Sequence, residues 1–142
     1  METRNDLRNA ANYLRNFMSP QQLNVALQMT KGEEGAWFKA KLLELARTIR
    51  QMPETYQTDG QGGAATVHLH YFKGGSDWFI IEKDSQPDQL QTFWLADLYG
   101  DGGEVGYISI DELRAINADL DFHWTPKTLA KVRSGRRRSV TA

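Results

Sequence analysis

The chain has 142 residues, 40% hydrophobic and 11% aromatic, which is enough for one domain with a real core and argues against disorder over most of its length. It has no cysteine, which excludes disulfides, thiolate metal sites and cysteine nucleophiles, and no apolar run near the ~18 residues of a membrane span. The formal net charge is −1, but the charges are sorted: residues 53–126 carry thirteen acidic side chains against three basic ones, residues 1–52 five against eight, and residues 127–142 none against six.

The start, METRNDLRNAANYL, lacks the basic and then apolar run of a signal peptide, so a soluble protein of a reducing cytoplasm is expected. Leu7, Ala10, Ala11, Leu14 and Phe17 follow the spacing of one buried helical stripe. Ser19-Pro20 restarts the pattern, with Ser19 as cap, Pro20 at the first helical position and Gln22 as capping-box partner. After the break at Lys31-Gly32, Phe38, Leu42, Leu45, Ile49 and Met52 form the stripe of a third helix, which Pro53 ends. Residues 57–65 read as a linker, since they hold three glycines and no large apolar side chain.

Strand chemistry follows. Residues 66–72 alternate, and Gly74-Gly75 before a second run at 78–82 predicts a hairpin. Further strands are expected at 92–98, 105–108 and 120–124. Between the last two, Ser109 with Glu112 caps a helix burying Ile110, Leu113 and Ile116. A short helix at 126–132 and a frayed basic tail at 133–142 close the chain. The strands carry apolar residues on both faces (Trp78 and Ile80 against Phe79 and Ile81), so helices should cover both, the alternative being that one face is an interface. The expected fold is α+β, with a helical segment (1–56) on or beside a mostly antiparallel four- or five-stranded sheet domain (66–132) that carries a late helix.

No catalytic motif names a reaction, and no metal or cofactor is expected. Asp101 to Glu112 has the frame of a calcium loop, but Gly103 and Val105 occupy positions that need side-chain oxygens. His68, His70 and His123 have the side chains for a zinc site, yet histidines on a half-exposed strand are more often packing residues. Pro87-Asp88 lacks the following Glu-x-Lys of a magnesium nuclease, and neither a Gly-x-Ser-x-Gly elbow nor a phosphate loop is present.

Four stretches together carry a resemblance: Met52 to Tyr56 (MPETY), Tyr71 to Asp84 (YFKGGSDWFIIEKD), Gly106 to Leu113 (GYISIDEL) and Leu120 to Pro126 (LDFHWTP). Over about residues 50–132 the chain resembles a small uncharacterised family found on bacterial plasmids, integrative elements and phages. That resemblance implies a setting on mobile DNA, where small accessory proteins counter host defences, and it implies no catalytic residues.

The leading expectation is a non-enzymatic accessory protein that binds a host protein, as an anti-restriction or anti-CRISPR inhibitor would. Asp97, Asp101, Glu104, Asp119 and Asp121 would present negative charge to a nucleic-acid-binding surface, with Trp78, Trp94 or Trp124 as aromatic anchors. Two other readings compete with it. One is nucleic-acid binding through the basic N-terminal helices and Arg133, Arg136, Arg137 and Arg138. The other is a structural domain that homodimerises through an apolar sheet face.

Overall fold

The computed structural model describes residues 4–98 and 104–141, and the fold is α+β. Three helices come first: α1 (Arg4–Leu14), α2 (Pro20–Met29) and α3 (Gly35–Gln51). α2 starts as expected. The Ser19 hydroxyl accepts from the Gln22 N–H at 3.2 Å, and Pro20 needs no acceptor for the N–H it lacks. Gln22 does not work as the capping-box partner, however. Its amide donates to the Leu120 carbonyl and accepts the Leu120 N–H, each at 2.8 Å, so it binds the sheet instead of its own helix.

The strands are β1 (Thr66–Val67), β2 (Leu69–Lys73), β3 (Ser76–Ile80), β4 (Thr92–Leu98), β5 (Glu104–Ile108), β6 (Asp119–Leu120) and β7 (Lys127–Thr128). Five of them form an antiparallel sheet in the order β5-β4-β3-β2-β6, and β1 pairs with β7 apart from it. The expected strand 66–72 is therefore two strands that part at His68 and join different sheets. Gly74-Gly75 makes the predicted two-residue turn, with Lys73 opposite Ser76 and Gly74 at φ 58, a left-handed value that glycine adopts without strain. The strand expected at 120–124 is only Asp119–Leu120, because Asp121 caps a turn by accepting the His123 N–H.

Helices cover both faces of the sheet. Leu69, Tyr71, Trp78, Ile80, Ala96 and Leu120 pack in one core with Leu14, Leu23, Leu42, Ile49 and other residues of α1–α3 and with Phe17 of the turn after α1. The same core takes Ile110 and Leu113 from α4 (Ile110–Ala115), which Ser109 caps as predicted. Ile116 was expected in that stripe but is 45% exposed, since the helix ends before it. On the other face Val67, Phe79, Ile81 and Leu95 pack with Leu129 and Val132 of α5. α5 runs Leu129–Thr141, so helix extends through residues read from sequence as a frayed tail, and β7 occupies part of the helix expected at 126–132.

The glycine-rich segment 57–65 is not a free linker. Glu82, 1% exposed, accepts from the backbone N–H groups of Tyr56 (2.7 Å) and Thr58 (2.8 Å) and from the Thr58 hydroxyl. Tyr56 is held at φ 75, a conformation an L-residue adopts only when its surroundings enforce it. Lys83 donates to the carbonyls of Ile49 (2.7 Å) and Arg50 (3.0 Å) in the last turn of α3, where Ile49 also accepts the Met52 N–H at 3.1 Å. Asp84 accepts from the N–H groups of Gln86, Leu90 and Gln91 and shapes the loop into β4.

Glu82→Ala leaves the buried N–H and hydroxyl of Thr58 and the part-buried N–H of Tyr56 without their acceptor. It should lower stability by about 3 kcal/mol and speed proteolysis between residues 54 and 62. Urea unfolding and limited digestion check this; a loss below about 0.5 kcal/mol would show that the segment does not depend on Glu82.

Candidate functional site

The strand register gathers acidic residues at one end of the sheet face turned away from α1–α3. Asp97 of β4 lies opposite Asp77 of β3, Asp77 opposite Phe72 of β2, and Phe72 opposite Asp119 of β6. The next row inward runs Leu95, Phe79, His70, with Asp121 hydrogen-bonded to the His70 carbonyl at 2.8 Å. Like charges opposed across strands are destabilising, so this end needs a positive or donor group near it.

His70 fills that role. Its Nε2 lies 2.7 Å from Asp77 Oδ1 and its Nδ1 2.9 Å from Asp121 Oδ2. The side chains are 14%, 20% and 22% exposed for His70, Asp77 and Asp121, so these contacts are screened less than surface pairs. One ring nitrogen thus faces each carboxylate within hydrogen-bond distance. The ring stacks on Phe79 with centroids 4.8 Å apart and planes 12° apart, and Trp124 lies at 5.3 Å. With both nitrogens facing carboxylates, His70 has none left to ligate a metal or abstract a substrate proton. Beside this end lies a cleft of about 500 Å³ lined by Val25, Phe72, Asn117 and Asp119 among others. Phe72 is 38% exposed there, an apolar surface within an acidic setting.

The residues expected from sequence divide. Asp97, Asp119 and Asp121 belong to this end by register, and Asp119 is exposed. Glu104 is exposed but lies on β5, at the opposite edge, in register with Ala96 of the helix-facing core, so it does not join them. Asp101 lies outside the described residues.

None of the three tryptophans is a free anchor. Trp78 is 9% exposed and belongs to the helix-facing core, and Trp94 packs against that core. Trp124 packs on Phe79, donates from its ring nitrogen to the Val67 carbonyl at 3.1 Å, and carries Lys127 over its ring at 4.5 Å. Arg133 lines a separate cavity, and Arg136, Arg137 and Arg138 lie within α5.

The histidines do not converge on a metal. His123 packs near Trp37 of α3 at 5.5 Å, and burial lowers the pKa of His68. Among the described residues no group of three or more metal-binding side chains comes together. No helix among them is long and apolar enough to cross a membrane.

Sequence reasoning missed the pairing of His70 with Asp77. The signal was present, because a two-residue turn at Gly74-Gly75 sets Phe72 against Asp77 and His70 against Phe79. Comparison with protein-family models, curated proteins and solved structures finds no match.

His70→Phe keeps an aromatic ring on Phe79 but removes the nitrogens that Asp77 and Asp121 share. The expected loss is about 2 kcal/mol in urea unfolding, partly recovered by added salt in the variant and not in the parent. A salt response equal in both proteins would show that the ring acts by packing alone.

Proposed function

We propose that the protein is a non-enzymatic binding module whose acidic sheet end docks a basic surface on a partner protein. The observation that carries this reading is the register that brings Asp77, Asp97 and Asp119 from three strands, and Asp121 from the turn after β6, to one end of the sheet, with the exposed Phe72 in the same row. Such an end attracts lysine and arginine side chains electrostatically, and Phe72 with its cleft accommodates the apolar stem of one of them. Surfaces that bind nucleic acid have this basic character. The resemblance to mobile-element proteins directs the proposal to host restriction or CRISPR proteins as partners, by association with that setting alone.

A second reading has its own support. α5 carries Lys131, Arg133, Arg136, Arg137 and Arg138 and no acidic residue, a composition suited to phosphate contacts.

One pair of experiments separates the two. Under the first reading, expression in a restricting or CRISPR-bearing host raises the plating efficiency of sensitive phage. Asp119→Lys combined with Phe72→Ser should abolish that effect while leaving the fold intact by circular dichroism, because both side chains are exposed. Protection unchanged in this variant refutes the acidic end as the site. Under the second reading the protein binds a labelled duplex with an affinity that falls steeply with salt, and Arg136, Arg137 and Arg138 changed to Gln reduce that slope. Duplex binding unaffected by those changes refutes α5 as the contact.

A further inference from the structure

The two edges of the five-stranded sheet differ. At β6 the outward N–H and C=O of Leu120 are both taken by the Gln22 amide, so that edge is closed to strand addition. At the other end β5 pairs with β4 on one side only and faces no strand on its outer side among the described residues. β5 is also the most exposed long strand whose side chains are described. Val105 is 42% exposed and Tyr107 44%, an unusual pair of apolar residues for an unprotected edge.

We infer that β5 pairs antiparallel with β5 of a second copy of this chain about a two-fold axis at Gly106. The strand reads Glu104-Val105-Gly106-Tyr107-Ile108, and that axis sets Glu104 opposite Ile108 and Val105 opposite Tyr107. Like charges are kept apart, and the two exposed apolar side chains become direct cross-strand neighbours, which favours this register over a slip by one residue. Gly106 at the axis brings no side chain of its own to the seam.

The surroundings fit the same occupant. Val105 lines a cavity of about 260 Å³ together with Phe93, Ala65 and Leu129, so Tyr107 of the second copy lies at its mouth. In its own chain Tyr107 packs on Phe93 at 5.2 Å and on Tyr56 at 5.7 Å. Tyr56 itself is 57% exposed and extends the apolar surface beside the strand. Because the other edge is closed by Gln22, pairing stops at two copies and gives one ten-stranded sheet, an isologous contact rather than a growing fibre. Phe72 and Asp119 of the acidic end, on β2 and β6 at the far side of the sheet order, stay accessible in each copy.

The test is mass as a function of concentration, by sedimentation from micromolar to several hundred micromolar. The parent should approach twice 16.2 kDa, and Val105→Lys should raise the dissociation constant at least about tenfold with an unchanged circular dichroism spectrum. Since the chain has no cysteine, Gly106→Cys provides a second measurement that does not depend on the first variant folding well. Residues directly opposed in an antiparallel pair have Cα atoms about 4.5–5.5 Å apart, within disulfide reach. A Cβ at position 106 meets only the Trp94 ring at 3.9 Å, an ordinary contact. Gly106→Cys should therefore cross-link under mild oxidation much faster than Leu90→Cys, which is exposed elsewhere. A mass of 16.2 kDa at every concentration overturns the inference, as does a Val105→Lys dimer as tight as the parent or equal cross-linking of the two cysteine variants. A monomer that takes up a strand from a different protein at this edge overturns it as well.

Discussion

Three consecutive side chains just beyond the end of β3 join the parts of this protein that would otherwise be separate. Glu82 holds the 56–58 backbone, Lys83 holds the last carbonyls of α3, and Asp84 holds the 86–91 loop. Each hydrogen-bonds backbone groups in a loop or in the last turn of a helix, where regular pairing runs out and buried unpaired groups are costly. Glu82 faces inward against the glycine-rich segment, so that segment lies down on the sheet. The helices, the connecting segment and the sheet thus form one body around two cores that share the strands between them.

A sheet buried on both faces leaves little surface for function except at its ends and edges. One end of the face carrying α5 is acidic, and α5 itself is basic, so the charge sorting along the chain becomes a charge difference across one face. His70 makes the acidic end tolerable by standing between two of its carboxylates. The edges are treated unequally: a helix-borne glutamine closes one, and the other keeps exposed apolar side chains.

Much of the fold was legible in the chain. The apolar stripes, the Ser19 and Ser109 caps, the Gly74-Gly75 hairpin and the double-faced strands each rest on contacts within a few residues, and local periodicity reports these directly. Several of the departures involve distant partners. Residues 66–72 look like one strand, but Val67 pairs with Lys127 while Leu69 pairs with Ile80, and no local pattern records that exchange. Gln22 has the spacing of a capping box, yet its amide meets Leu120, 98 residues away. Trp78 had the composition of a binding anchor, and the register turned it to the core.

The sequence by itself determined the layer types, the local caps and turns and the segregation of charge, because these follow from residue identity and short spacings. Only the tertiary structure decided which carboxylates share a surface. Asp77, Asp97, Asp119 and Asp121 fall at one end of the sheet because four strands align in a particular order, and Glu104 is excluded because β5 falls at the other edge. Strand order is set by burial of side chains far apart in the chain, and the same ordering gave His70 its two carboxylate neighbours and β5 its open edge.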